Sequence, residues 1–166
     1  MIYNKVKADS DKKTFSYSLK NFSVFKNEIE KNLFEYSITE LTYKDIIAII
    51  IKESGSKALK NYYNDYKVVG DNGNAYGIMQ QWQDSLTDVN SKFKFNFSVH
   101  DLQNYKTAIK AGLGYIKIAL NECKKDNVKS DLYNVSARYN GGAYSSDYND
   151  NAKKYANNVQ KIRANL

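Results

Sequence analysis

One acidic residue follows a strongly apolar segment. Residues 46–51 are all isoleucine or alanine, and Lys52-Glu53-Ser54-Gly55 follow directly. Such a segment is typical of a buried helix, which puts Glu53 in its last turn. Apolar surroundings and the negative end of the helix dipole both disfavour a charged carboxylate, so we expect the pKa of Glu53 to be raised. A carboxylic acid that keeps its proton near neutral pH is suited to general acid catalysis.

Two other segments carry side chains that bind sugars. Residues 70–80 read Gly-Asp-Asn-Gly-Asn-Ala-Tyr-Gly-Ile-Met-Gln, and residues 137–142 read Ala-Arg-Tyr-Asn-Gly-Gly. Amide side chains hydrogen-bond sugar hydroxyl and N-acetyl groups, and aromatic rings pack on sugar faces. The single histidine, His100, excludes a metal site built on a histidine cluster. One acid with amide and aromatic groups therefore indicates glycoside chemistry, and we expect neither a metal nor a cofactor.

Four segments, in this order, resemble the signature of goose-type lysozymes and lytic transglycosylases (SLT-like) in the lysozyme-like superfamily. They are Glu53-Ser54, Gly-Ile-Met-Gln at 77–80, Tyr-Asn-Gly-Gly at 139–142 and Tyr-Ala-Asn-Asn-Val at 155–159. The resemblance implies a mainly α (α+β) lysozyme-like fold, a helical bundle around a central buried helix with a small β-ribbon beside the substrate cleft. It also implies cleavage of the β-1,4 bond between N-acetylmuramic acid and N-acetylglucosamine in peptidoglycan.

The resemblance assigns roles to individual residues. It implies that Glu53 is the general acid and that Asp71 helps to hold the attacking water. Six further residues are expected to bind substrate: Ser54, Tyr76, Gln80, Tyr139, Asn140 and Tyr155. Goose-type enzymes carry a second aspartate two residues after the glutamine, but Trp82 occupies this position and Asp84 is out of register. The residues that would activate the water thus match the goose-type pattern less well than the general acid does.

Two mechanisms fit this set of residues. In inverting hydrolysis, Glu53 protonates the leaving oxygen and Asp71 supports attack by water, which requires carboxyl groups about 6.5–9.5 Å apart. In a lytic transglycosylase, the 6-hydroxyl of the muramic acid attacks, so one acid suffices and the product carries a 1,6-anhydro end. The Gly-Asp-Asn-Gly-Asn segment at residues 70–74 also resembles goose-type lysozymes, which favours hydrolysis, and the missing aspartate favours transglycosylation. A non-catalytic wall-binding module is a further alternative, and the Asp71 side chain has the alternative role of capping a turn.

Length, charge and composition limit which other classes of protein the chain can belong to. A chain of 166 residues is expected to form one domain, here 21–166, behind a polar N-terminal arm at 1–20. The net charge of +7 favours anionic wall polymers as partners, but the basic residues are scattered and form no nucleic-acid motif. No segment approaches the roughly 20 apolar residues of a membrane span, and no signal peptide is visible. We expect a monomer that acts on the bacterial wall, either a bacterial hydrolase or a phage endolysin delivered from the host cytoplasm, for example by a holin.

The apolar spacing predicts most of the helices. One begins at Phe22, and Thr42 with Asp45 forms a capping box that opens the isoleucine helix ending near Gly55. Residues 56–100 are predicted to be largely irregular, with a short hairpin around 76–82. Helices are predicted again from Asp101 to Cys123, over 132–138 and over 152–162, with Gly112 and Gly114 allowing close packing.

Overall fold

The computed structural model describes residues 19–166. Of the predicted arm, residues 1–18 lie outside the described residues, and Leu19 and Lys20 begin the first helix. The helices are α1 (Leu19–Phe22), α2 (Lys26–Glu35), α3 (Tyr43–Ser54), α4 (Ser56–Asn64), α5 (Gln83–Phe93), α6 (Tyr105–Lys125), α7 (Leu132–Gly141) and α8 (Asp150–Ala164). The strands β1 (Val69–Gly70) and β2 (Ala75–Tyr76) lie between α4 and α5.

Helix α3 is the central buried helix. It begins with the predicted capping box, in which the backbone N–H of Thr42 donates to the Asp45 carboxylate at 2.7 Å. Every residue from Ile46 to Ile51 is buried, as expected of a helix that is apolar on all faces. The helix packs against α2, α4 and α8. It ends at Gly55, where φ is +53° and the chain turns directly into α4, so Glu53 lies at the edge of the core.

The long helix α6 packs closely against its neighbours through its two glycines. A Cβ atom on Gly112 would lie 2.2 Å from the sulfur of Met79, and one on Gly114 would lie 3.0 Å from Val89 Cγ1. The predicted close packing is therefore confirmed, although the partner of Gly112 belongs to the loop after β2 and not to a helix. This contact holds the loop against α6.

A two-stranded antiparallel ribbon precedes that loop. Val69 pairs with Tyr76 and Gly70 with Ala75, and a tight 3₁₀ turn over Asp71–Gly73 joins the strands. Only one bridge, between Tyr76 and Gln81, falls in the region predicted to form a hairpin. The mainly α fold with a small ribbon is confirmed, but the ribbon lies earlier in the chain than predicted.

The prediction that residues 56–100 are largely irregular was wrong. This range contains α4 and α5, and the turn-forming Gly and Asn residues are concentrated at 64–77, between them. Leu86 and Val89 on α5 lie three residues apart and are fully buried, which is the spacing of a helix face. None of the helices in the described part of the chain combines the length and apolar character that crossing a membrane requires.

Candidate active site

Glu53 is half-buried in the last turn of α3 and lines a cavity of about 330 Å³, the Glu53 cavity. Burial raises the pKa of Glu53 from an ordinary 4.5 to about 7, while a hydrogen bond from Tyr155 and the charge of Lys52 partly oppose the shift. The direction agrees with the sequence prediction. Near neutral pH, Glu53 is therefore protonated in a large fraction of the molecules, and it lies beside an open cavity.

Tyr155, on helix α8, holds this carboxyl group by a hydrogen bond. The residue is only 7% exposed on α8, and its hydroxyl donates a hydrogen bond of 2.5 Å to Oε1 of Glu53. Burial, and secondly the charge of Glu53, raise the pKa of Tyr155, so the hydroxyl remains a donor. The Lys52 ammonium lies 5.8 Å from the centroid of the same ring. With so little ring surface exposed, Tyr155 orients Glu53 and has almost no face to offer to a sugar.

Three consecutive carbonyl groups of the Gly-Ile-Met-Gln segment accept hydrogen bonds from side chains. The Gln80 amide donates to the carbonyl oxygen of Gly77 at 2.8 Å, the Ser54 hydroxyl donates to that of Ile78 at 2.8 Å, and the Tyr139 hydroxyl donates to that of Met79 at 2.7 Å. Ser54 and Tyr139 thus fasten this segment to the ends of α3 and α7, and Gln80 closes a turn within it; all three were expected to bind substrate. Of the four residues of this segment, only Gln80 lines the Glu53 cavity, and the three bonds fix the backbone directly before it.

The Gly-Ile-Met-Gln segment needs glycine at its first position. Gly77 has φ of +73°, and a Cβ atom there would lie 2.2 Å from the backbone oxygen of Leu102. Both the backbone conformation and the close approach exclude a side chain. Gln80 also has a left-handed conformation, with φ of +47°.

Asp71 lines the Glu53 cavity from the turn of the ribbon. The residue is exposed, with φ of +48°. Both the backbone N–H and the side-chain amide of Asn74 donate to the backbone oxygen of Asp71 at 3.1 Å, so Asn74 caps the turn. Within residues 19–166, the Asp71 carboxylate has no hydrogen-bond or ion-pair partner. Within the described residues the Asp71 side chain therefore makes no bond that caps this turn, and its part in the reaction stays a prediction.

The remaining predicted residues separate into two groups. Asn140 is exposed at the end of α7 and lines the Glu53 cavity, where its amide is available to a ligand. Tyr139 lines the same cavity but is only 9% exposed. Tyr76 is half-buried, packs against the hydrophobic core and lines neither this cavity nor the one described next. The structure does not bring Tyr76 to the site.

A second cavity, of about 260 Å³, adjoins the first. We call it the Gln81 cavity. The two cavities share four lining residues: Gln80, Trp82, Tyr139 and Asn140. The Gln81 cavity is completed by Gln81, Asp84, Ser85, Tyr115, Gly141 and Gly142. Trp82 stands where the cavities meet and is 50% exposed. Sequence reasoning noted Trp82 only as a missing aspartate, although an exposed indole in a glycan cleft is itself a signal for sugar binding.

A family model described as the transglycosylase SLT domain matches residues 34–162. The chain belongs to this family. The match covers α3, the ribbon, both cavities and most of α8, and it confirms the predicted place in the lysozyme-like superfamily. As an SLT domain, the chain is a peptidoglycan-cleaving enzyme whose site of action is the cell wall. A search of curated proteins and a search of solved structures found no match.

Two acidic residues, Glu53 and Asp71, line the Glu53 cavity. Among the residues that the structure describes, no group of three or more His, Cys, Asp or Glu side chains is arranged to hold a metal ion. Glu53, with its raised pKa, and Asp71 both line this cavity, and the Tyr155 hydroxyl donates a hydrogen bond to the Glu53 carboxyl group.

Proposed function

We propose that this protein is an N-acetylmuramidase, which hydrolyses the β-1,4 bond between N-acetylmuramic acid and N-acetylglucosamine in peptidoglycan. A single observation carries the proposal. A carboxylic acid with a pKa of about 7, Glu53, lines the same cavity as Asp71, whose carboxylate has no hydrogen-bond or ion-pair partner within residues 19–166. Two carboxyl groups in different environments are what acid-assisted glycoside hydrolysis requires.

The proposed reaction takes place in one displacement. Glu53 donates its proton to the glycosidic oxygen, the bond from that oxygen to the anomeric carbon breaks, and the N-acetylglucosamine side leaves with a free 4-hydroxyl. A water molecule held by Asp71 attacks the anomeric carbon from the opposite face and gives its proton to the Asp71 carboxylate. The product is a reducing N-acetylmuramic acid end with inverted configuration. Solvent then returns a proton to Glu53 and removes one from Asp71.

The surrounding residues support this step in two ways. We assign Tyr155 to positioning, because its hydroxyl fixes Oε1 of Glu53 and so aims the proton. Ser54, Gln80 and Tyr139 hold the backbone of residues 77–79 in place, and the exposed Asn140 contacts the sugar. In this proposal Ser54, Gln80 and Tyr139, which the sequence predicts to bind substrate, hold the site in shape and do not contact the sugar themselves.

Transglycosylation is a second candidate, and two observations favour it. The matching family model is described as a transglycosylase domain, and the indole of Trp82 occupies the position where goose-type enzymes carry the second aspartate. In this reaction the 6-hydroxyl of the muramic acid attacks the anomeric carbon. Glu53 first donates its proton to the leaving oxygen and then receives the proton of the 6-hydroxyl, so Asp71 is not needed.

Mass analysis of digested peptidoglycan distinguishes these reactions. Purified sacculi are incubated with the protein in H₂¹⁸O, and the muropeptides are separated and weighed. Reducing ends that carry ¹⁸O are the expected result, whereas anhydro ends, one water lighter and without ¹⁸O, would establish the second candidate. Binding to sacculi with neither product would identify a non-catalytic wall-binding module. Glu53→Gln is the matched control, since it keeps the shape of the side chain and removes the proton.

We further propose that the enzyme works as a monomer, either as a bacterial wall hydrolase or as a phage endolysin. The net charge of +7 supports attraction to anionic wall polymers. Binding to walls stripped of teichoic acids should then be weaker and less sensitive to salt than binding to intact walls. Equal binding to both preparations would remove the anionic polymer from the proposal.

A further inference from the structure

Helix α4 and the segment after it carry exposed lysines without acidic partners. Lys57 and Lys60 lie three residues apart on α4, Lys67 lies shortly before β1, and all three are exposed. None of them forms an ion pair with a residue in the described part of the chain, and Asp65 is the single acid among residues 54–70. On α2 and α6, by contrast, five lysines lie within 4.0 Å of a glutamate carboxylate: Lys26, Lys31, Lys110, Lys124 and Lys125.

Exposed aromatic rings accompany these lysines. Tyr63 is 64% exposed and Tyr66 is 46% exposed. The Lys60 ammonium lies 5.8 Å from the centroid of the Tyr66 ring, which is a cation–π contact. The Tyr63 ring meets the ring of Tyr62 edge-on at 4.8 Å, and Tyr62 packs against the hydrophobic core. Clustered exposed rings are typical of a surface that binds a partner.

We call the exposed surface formed by these lysines and tyrosines the α4 face; its members are Lys57, Lys60, Tyr63, Tyr66 and Lys67. The buried amide of Asn61 donates to the backbone oxygen of Tyr66 at 2.8 Å and to that of Gln103 at 2.7 Å. These bonds hold the segment after α4 against the helix, so less of the surface has to become ordered when a partner binds. No member of the α4 face lines the Glu53 cavity or the Gln81 cavity.

We propose that the α4 face binds a phosphodiester polymer of the cell wall, of the teichoic-acid class. The three ammonium groups complement the phosphate groups, and the tyrosine hydroxyls can hydrogen-bond the polyol units between them. A lysine is a flexible point charge that imposes no fixed geometry on its anion, which suits a flexible polymer.

The site of action of the family decides between two polyanions. An SLT domain acts on the cell wall, where the phosphodiester polymer and not nucleic acid is the abundant polyanion. The inference goes beyond the proposed cleavage. It rests on the proposed attraction to anionic wall polymers and assigns that attraction to one surface instead of to the net charge.

Two variants with the same change in charge separate the α4 face from the net charge. Both are made in the Glu53→Gln background, where walls are not cut. The first carries glutamine in place of Lys57, Lys60 and Lys67. The matched control carries glutamine in place of three exposed lysines of α8 that likewise form no ion pair with a described residue: Lys153, Lys154 and Lys161.

Binding of poly(glycerol phosphate) is measured by calorimetry at low and at high salt. The α4-face variant is expected to bind at least about tenfold more weakly than the parent at low salt, and the α8 control within about twofold of it. High salt should weaken binding by the parent and the control more than binding by the α4-face variant. Equal losses in both variants would assign binding to net charge alone and overturn the inference. Equal affinity of all three proteins, or tighter binding of duplex DNA or of anionic vesicles, would overturn it as well.

The aromatic part of the face is tested by a single substitution. Tyr66→Leu removes the ring beneath Lys60 and should weaken polymer binding about threefold. Phe34→Leu, at a ring that is 86% exposed, is the control and should leave the affinity unchanged. An unchanged affinity of Tyr66→Leu would remove the ring from the proposed surface.

Folding and catalysis are measured separately from polymer binding. Because its three lysines are exposed, the α4-face variant should have the Tm of the parent. With Glu53 restored, it should release muropeptides from sacculi stripped of teichoic acids at the wild-type rate, since its substitutions lie outside both cavities. A wild-type protein that releases no muropeptides would refute the proposed function and leave the binding result standing.

Discussion

The hydroxyl of Tyr155 donates a hydrogen bond of 2.5 Å to Oε1 of Glu53, across 102 residues of sequence. This contact joins the last helix to the end of the central one at the atom that carries the proposed chemistry. The bond stabilises the charged carboxylate and therefore opposes the effect of burial on its pKa. Tyr155 thus influences both the orientation of the Glu53 carboxyl group and the pH range over which that group can give up its proton.

Activity should decline as the pH rises through about 7, because Glu53 has a pKa of about 7 and acts only in its protonated form. In Tyr155→Phe the carboxylate loses a stabilising hydrogen bond, so the pKa of Glu53 rises further and the alkaline limb of the profile moves to higher pH. The measurement is the rate of release of soluble muropeptides from sacculi between pH 5 and pH 9. Tyr63→Phe, at a tyrosine that is 64% exposed, is the control. An alkaline limb that stays in place or moves to lower pH would contradict the assigned role of Tyr155.

Glu53→Gln should abolish lysis while the protein remains folded. A positioned general acid contributes about 10²–10⁴-fold to the rate, and the glutamine amide has the same shape but cannot deliver a proton. The measurements are clearing of a cell-wall suspension and the far-UV circular dichroism of the variant. Lysis at an undiminished rate by a folded variant would show that the proton comes from another group.

The same residue should make folding stability depend on pH. A carboxyl group whose pKa is 4.5 in the unfolded chain and about 7 in the folded one binds its proton more tightly when folded. Its contribution is complete below pH 4.5 and is lost as the pH rises to about 7, an effect on the order of 3 kcal/mol. Urea unfolding of wild type and Glu53→Gln at pH 4.5 and pH 8 measures this difference. Parallel stabilities of the two proteins at both values would contradict the raised pKa.

Asp71→Asn should slow hydrolysis about 100-fold, because the amide cannot receive the proton of the attacking water. Release of ¹⁸O-labelled reducing ends is the measurement, and Asp65→Asn is the control. Asp65 is another exposed aspartate with left-handed backbone, and it lines neither cavity. Full activity of Asp71→Asn with labelled reducing ends would show that Asp71 takes no part, whereas anhydro ends formed at an unchanged rate would favour transglycosylation.

The position and burial of helix α3 could be predicted from the sequence, because they depend on residues within the helix itself. The capping box of Thr42 and Asp45 and the apolar residues 46–51 determine where α3 begins and why it is buried, and these two facts already imply that Glu53 meets the edge of the core. The raised pKa of Glu53 follows from that position. The acid was predictable because its environment is created by its own helix.

Two helices were missed because turn-forming residues were given too much weight. On α5, Leu86 and Val89 have helical spacing, and burial of both residues in the core outweighs the polar composition around them. On α4, the single buried apolar side chain is Ala58, and Asn61 is buried because its amide donates to the carbonyls of Tyr66 and Gln103. A buried asparagine gives no apolar signal, so hydrophobic periodicity alone does not reveal that helix.

The partners of the site residues could not be predicted, because they are distant in sequence. The sequence shows that position 139 is aromatic and that position 54 carries a hydroxyl, but not that Tyr139 donates to Met79 across 60 residues or that Ser54 donates to Ile78 across 24 residues. Both side chains suit a sugar, and both instead bond to backbone carbonyls. Whether such a side chain bonds to a sugar or to a backbone carbonyl group depends on how α3, α6 and α7 pack together.

The close approach of Gly77 to the chain segment before α6 can be tested with a pair of glycine substitutions. Both Gly73 and Gly77 have positive φ, at +97° and +73°, but only at Gly77 would a Cβ atom meet a neighbour, the backbone oxygen of Leu102 at 2.2 Å. Gly73→Ala should therefore cost about 1 kcal/mol, from backbone strain alone. Gly77→Ala should cost roughly 3 kcal/mol or more, because backbone atoms must move as well. Urea unfolding measures both.

The activities of the same pair should diverge as well. Residues 77–79 accept the hydrogen bonds of Gln80, Ser54 and Tyr139 and lie directly before Gln80, which lines the Glu53 cavity, so a displaced Gly77 shifts that lining residue. Muropeptide release by Gly77→Ala, measured at a temperature where the variant is still folded, should fall at least tenfold relative to Gly73→Ala. The two variants could instead lose equal stability and keep equal activity. In that case the chain does not pass close to Leu102 at Gly77, and residues 77–79 are held by the side-chain hydrogen bonds alone.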